Sequence, residues 1–170
     1  MISGEKVQLR GITYKDAPLI YQWVNREDLR DLTGTIYPIS EYEHDSWIKS
    51  VTTDGNRKLF AIYMKENCIG TIGLKNIDFI NRNAELFISI GEETSEYHGG
   101  IGTDAVNTLV NFCFMHLNLH KIYVHVFESN KRAIRCYEKA GFVLEGTLLE
   151  HHFSRGKYEA VLVMGRVCTS

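Results

Sequence analysis

Three glycines fall within four residues in the run Tyr97-His98-Gly99-Gly100-Ile101-Gly102-Thr103-Asp104-Ala105. The run lies between an alternating strand pattern and a long helical one. Glycine lets the backbone approach another group closely, and the first N–H groups of a helix have no partners of their own. Together with the positive end of the helix dipole they form an anion site suited to a pyrophosphate, although a plain structural turn has the same composition. No Gly-Lys-Ser/Thr follows, and Ala105 stands where a G-x-G-x-x-G fingerprint would have its last glycine. Nucleotide hydrolysis and hydride transfer therefore lose support.

A second segment, Asn130-Lys131-Arg132-Ala133-Ile134-Arg135-Cys136-Tyr137-Glu138-Lys139-Ala140-Gly141-Phe142, begins where a strand ends. Asn130 suits either a helix cap or a hydrogen bond to a ligand. Tyr137 shares a helical stripe with Ala133 and Ala140, which by spacing alone makes it a core residue. Glu85 interrupts an apolar strand, where a carboxylate can take a proton through water, face solvent, or pair with Arg82. His98 is a weaker base candidate. His151 and His152 are adjacent on a strand and so face opposite sides, which argues against a shared metal; no metal site is expected.

The elements that must carry these residues are legible from period and punctuation. A short strand, Val7-Gln8-Leu9-Arg10, precedes a helix capped at Thr13 with Asp16 three residues on and ending near Asn25. Ser40-x-x-Glu43 is a second capping box, ahead of Trp47, Ile48 and Val51 at helical spacing, and Asp54-Gly55-Asn56 closes that helix. Residues 59–64 and 68–74 form a hairpin around Lys65-Glu66-Asn67, and 84–90 a third strand. Ala105, Leu109, Phe112, Cys113 and Leu117 mark one face of a helix of about four turns. A strand over 121–127, a short helix over 131–140 closed by a left-handed Gly141, and strands over 142–152 and 158–167 complete the chain. The order β-α-α-β-β-β-α-β-α-β-β predicts an α/β (α+β) domain with a mixed sheet and helices on both faces.

Composition bounds the function. The 170 residues carry a net charge of −2 with 24% charged and 44% hydrophobic residues, which describes one globular domain spanning 1–170. Lys and Arg are scattered, so no basic field for nucleic acid is expected. The start, Met1-Ile2-Ser3-Gly4-Glu5-Lys6, has no apolar leader, and no run approaches the roughly 20 apolar residues of a membrane span. A cytoplasmic protein with free cysteines at 68, 113, 136 and 168 is expected.

The glycine loop, N-L-H-K-I-Y and S-N-K-R-A-I-R-C-Y-E-K-A-G-F, at their separations, resemble the acetyl-CoA-binding core of the GNAT N-acetyltransferase superfamily. L-R-G-I-T-Y-K-D, I-G-T-I-G-L-K-N-I-D and V-L-E-G-T-L-L-E-H-H-F are similar to the branch of ribosomal-protein N-terminal acetyltransferases and spermidine acetyltransferases. The resemblance covers nearly the whole chain. It implies a mostly antiparallel sheet of six to seven strands with a splayed central pair, about four helices on both faces, and a homodimer. It also implies that Ile88, Ser89 and Ile90 pair with the pantetheine arm. Tyr97, His98, Gly99, Gly100, Ile101, Gly102 and Thr103 would wrap the pyrophosphate, although the family usually opens this loop with Gln or Arg where this chain has Tyr97. Asn130 would bond the pantetheine region, Tyr137 would protonate the leaving thiolate, and Glu85 is the base candidate. The implied reaction is direct transfer of acetyl from acetyl-CoA to a primary amine, with a polyamine or a protein N-terminus as acceptor. An amino sugar or aminoglycoside transferase, or a CoA-binding module without chemistry, are the alternatives. Glu41, Glu43 and Asp45, with Glu92, Glu93 and Glu96, are acidic candidates for a polyamine, or simply a solvated face.

Overall fold

The computed structural model describes residues 1–92 and 99–169. Its elements are β1 (Ile2–Ser3), β2 (Gln8–Gly11), α1 (Ala17–Asn25), α2 (Glu27–Thr33), α3 (Glu41–Thr53), β3 (Lys58–Met64), β4 (Asn67–Asp78) and β5 (Asn83–Ile90), followed by α4 (Ile101–His116), β6 (Lys121–Phe127), α5 (Lys131–Lys139), β7 (Val143–Ser154) and β8 (Lys157–Val167). The strands form one sheet in the order β1-β2-β3-β4-β5-β6-β8-β7, antiparallel except for the β5–β6 pair. That pair is parallel because α4 carries the chain from the end of β5 back to the same side of the sheet.

Among the described residues the sheet has eight strands rather than six or seven, and the helices number five rather than about four. β1 adds only two residues, paired with Gln8 and Leu9, too few for any period to show in sequence. α2 is a single short helix, but its signals were present: Glu27 and Asp28 in the first turn and Gly34 left-handed after the last. α1 starts at Ala17, later than the Thr13 cap implied. Asp16 instead accepts the N–H and hydroxyl of Thr13, closing a turn ahead of the helix. Pro18 then sits in the first turn, where its missing N–H costs nothing. The Ser40–Glu43 capping box is present with both of its hydrogen bonds. Gly141, at φ 84°, ends α5 in the expected left-handed conformation.

Strand alternation divides the sheet into two faces. Ile62, Ile72, Leu86, Ile122, Val124 and Met164 point to one face, where Ala105, Leu109 and Cys113 of α4 and Tyr137 of α5 complete the larger core. Ala61, Cys68 and Tyr63 point to the other, beneath Ile20 and Trp23 of α1 and Leu29 of α2. Glu85 alternates with Ala84 and Leu86, and His125 with Val124 and Val126. Both therefore belong to the α1–α2 face, opposite α4 and α5.

Candidate active site

The sheet opens between β5 and β6. Their pairing runs only from Asn83↔Lys121 to Glu85↔Tyr123. Beyond it β5 stays bonded to β4 as far as Ile90, while β6 stays bonded to β8 as far as Phe127. Alternate N–H and C=O groups along 86–90 thus face an opening with no strand to receive them. Unpaired strand groups are a template for an extended ligand, which can add there as a strand would.

A cleft of about 370 Å3 continues from this edge, lined by residues of α4 and α5 and, from the other face, by Leu29, Leu32 and Thr33 of α2. Ile88, Ser89 and Ile90 line one wall, Gly99 to Thr103 the end, and Asn130 and Cys136 the other wall. The structure therefore brings together every described residue that the sequence reading assigned to the donor. Tyr97 and His98 lie outside the described residues. Gly99 and Gly100 have φ of 104° and 86°, conformations open to glycine at little cost, and they turn the chain into α4, whose first residues, Ile101 to Thr103, line the cleft. Arg132, Arg135 and Lys139 also line it, and the Lys6 ammonium donates to the Gly99 carbonyl. An unpaired strand edge leading to a helix N-terminus ringed by cations fits an extended amide arm that ends in phosphates.

Asn130 uses its side-chain oxygen to accept the Ala133 N–H at 3.2 Å. It is thus the α5 cap, and its NH2 group is left for a ligand in the cleft. The Tyr137 ring is 5% exposed and packs against Phe142 with ring centroids 5.6 Å apart. Its hydroxyl has no protein partner among the described residues. It is not sealed off either, since Arg30 Nε is the one side-chain polar atom there both enclosed and unpartnered. Burial, with smaller contributions from Cys136 and Glu85, pushes the Tyr137 hydroxyl well above its ordinary range. The group keeps its proton at neutral pH, as an acid must.

Glu85 is buried at the point where β5 and β6 part, and neither solvent nor Arg82 takes it up. Its carboxylate accepts from His125 Nδ1 at 2.8 Å and Asn76 Nδ2 at 3.1 Å, with Lys75 Nζ at 3.4 Å. Arg82 instead bonds the carbonyl and side-chain oxygens of Asn118. Glu85 and Tyr137 thus approach the opening from opposite faces, close enough for the carboxylate to contribute to the tyrosine shift.

On the Glu85 face, a second pocket of about 440 Å3 lies between α2 and the β7–β8 hairpin. Glu27 and Asp31 line it, and the Arg155 guanidinium reaches across from the hairpin tip to lie 3.5 Å from Glu27 and 2.5 Å from Asp31. These carboxylates were missed in sequence because α2 was missed. Of the acids proposed from sequence, Glu41 and Glu43 lie in the first turn of α3, where Glu43 completes the capping box, and Asp45 is exposed. Glu92 lines the donor cleft and accepts from Trp23 Nε1, while Glu93 and Glu96 lie outside the described residues. Among the described residues no three His, Cys, Asp or Glu side chains gather as metal ligands, and no helix is long and apolar enough to cross a membrane.

A mixed sheet opened at one strand pair, with a glycine turn and a tyrosine-bearing helix closing over the gap, defines a class of acyl-transfer enzyme. The chain belongs to the GNAT acetyltransferase family: residues 6–143 match its acetyltransferase (GNAT) domain. It is an acetyl-CoA-dependent N-acetyltransferase. A spermidine N(1)-acetyltransferase of Vibrio cholerae is 37% identical over 114 residues, 66% of this chain and 64% of that enzyme, so the match spans just under two thirds of the relative. The Escherichia coli K12 spermidine N(1)-acetyltransferase is 30% identical over 166 residues, 96% of this chain and 87% of that one. The crystal structure of the V. cholerae spermidine N-acetyltransferase with CoA and spermine superposes with a TM-score of 0.85 at 30% identity, covering 95% of each chain. A dodecameric structure of a V. cholerae spermidine N-acetyltransferase gives 0.76 at 29% identity, over 95% of this chain and 94% of that one.

Proposed function

We propose that this protein acetylates a primary amine of a polyamine, with acetyl-CoA as donor. The observation that carries this reading is the Glu27–Asp31 pair holding the Arg155 guanidinium on the acceptor face. Two carboxylates already clasping a cation suit a flexible polycation. The Arg155 pairs are exposed, a setting in which ion pairs contribute at most about 1 kcal/mol, so an arriving ammonium displaces the arginine at little cost. The similarity to spermidine acetyltransferases supports the same class.

In this reading Ile88, Ser89 and Ile90 hold the pantetheine arm. The glycine turn and its flanking cations hold the phosphates, and the N–H groups of β5 stabilise the oxyanion. Tyr137 protonates the departing thiolate, and Glu85 supplies the negative charge that draws the proton from the amine. Self-association through β7 belongs to the same proposal. This edge strand exposes Val143, Leu144, Leu149 and Phe153, a surface suited to a second copy of the chain in a homodimer. Four cysteines, none of them in a disulfide, suit a reducing, cytoplasmic setting.

The test is CoA release by purified protein with spermidine, spermine, peptides with free Ser, Ala or Thr N-termini, an aminoglycoside and amino sugars. Polyamines are expected to give the highest kcat/KM. Turnover confined to peptides or sugars would replace the polyamine reading. Light scattering on the same sample is expected to give at least twice the 19.5 kDa chain mass, and a single-chain mass would remove the dimer.

A further inference from the structure

We infer that His125 is the group that takes the proton from the acceptor amine, with Glu85 as its positioning residue. This rests on the acetyltransfer reading above and assigns its base. His125 lies on β6, two residues beyond the last β5–β6 pair and therefore at the start of the opening. By alternation it points to the acceptor face, with Tyr123 on its own strand at a ring separation of 5.9 Å. Glu85 Oε1 stands 2.8 Å from Nδ1. An ionised carboxylate only accepts, so Nδ1 carries the hydrogen and the Nε2 lone pair is left to receive one. No protein group among the described residues takes Nε2.

Exposure separates the two partners. The Glu85 side chain is 9% exposed and already serves His125, Asn76 and Lys75, whereas the His125 side chain is 39% exposed. The carboxylate is thus the buried, fully engaged member, and the imidazole is the one an amine can reach. A base held in place by a third group is the usual arrangement where a side chain must take a proton in a fixed direction. The charged groups facing the ring are Glu85 from β5 and, through the same carboxylate oxygen, Lys75 from β4.

The amine nitrogen forms the new C–N bond and its N–H proton passes to His125 Nε2, while Glu85 stabilises the imidazolium. The C–S electron pair leaves with sulfur, which takes the Tyr137 hydroxyl proton. The imidazolium then returns its proton through water to the Tyr137 phenolate, so both residues end as they began.

The experiment uses the full chain with acetyl-CoA and spermidine. His125→Ala is expected to lower kcat about 10²-fold at neutral pH with CoA affinity unchanged, and added imidazole should restore part of the loss. The double variant with Glu85→Gln should be no slower than the slower single variant, because residues acting as a unit are not additive. Unaltered turnover in His125→Ala overturns the assignment. So does a loss that neither imidazole nor the conservative variant His125→Gln distinguishes from general damage, seen as weakened CoA binding. A parent protein inactive on every amine overturns the acetyltransfer reading itself, and the base with it.

Discussion

Tyr137→Phe is expected to turn over about 10²-fold more slowly than the parent while binding CoA with the same affinity. The ring fills a place in the larger core beside Phe142, and phenylalanine keeps that packing intact. The hydroxyl has no protein partner among the described residues, so removing it leaves no buried group unsatisfied. Burial raises the hydroxyl far enough that it is protonated throughout the working pH range, so the lost group is a proton donor. The thiolate must then leave unprotonated or take its proton from water. Steady-state rates with calorimetric CoA titration separate the two properties. Equal rates for variant and parent would remove Tyr137 from the chemistry.

The second large effect is expected at Glu85. Glu85→Gln keeps the shape and can still accept from Asn76 and His125, but loses the negative charge beside the opening. We expect kcat/KM for spermidine to fall about 10²-fold near pH 7 and the defect to narrow as pH rises. An alkylamine resembling that of lysine has a pKa of about 10.4, so each unit by which the pH rises toward that value supplies about tenfold more neutral amine from solvent and makes an enzyme base less necessary. The sign is specific: loss greatest at low pH, smallest at high pH. A structural role would produce a loss with no such slope, and a pH-independent ratio of parent to variant would count against the base assignment. Unfolding is not the expected cause, because His125 and Lys75 are each more than a third exposed and can be solvated without the charge.

The donor half of the site was readable from the chain because its parts are local. A glycine turn before a helix and an asparagine-to-glycine helix each carry their signal within about a dozen consecutive residues, and the structure brings both to one cleft. Most strands and the helices α1, α3 and α4 were likewise legible, since alternation and helical spacing are set by which side meets the core. The acceptor half was not. Glu85 was visible as an anomaly in an apolar strand, but its partners come from β4 and β6, and the parallel register Glu85↔Tyr123 has no counterpart in sequence spacing. His125 reads as an ordinary exposed position alternating with Ile122, Val124 and Val126. Glu27 and Asp31 read as surface charge until α2 sets them opposite Arg155, more than a hundred residues away. Pairings across the sheet, rather than residue types, make this half of the site.

Acetyl transfer in one step across the β5–β6 opening, with both substrates present at once, is the claim on which every residue assignment depends. Initial velocities measured while acetyl-CoA and spermidine are varied together test it most directly. Double-reciprocal lines that intersect are predicted, because in the proposed site the thioester and the amine would meet at the same gap. Parallel lines, with acetylated protein recovered in the absence of amine, would contradict it and place a covalent acetyl-enzyme in the path.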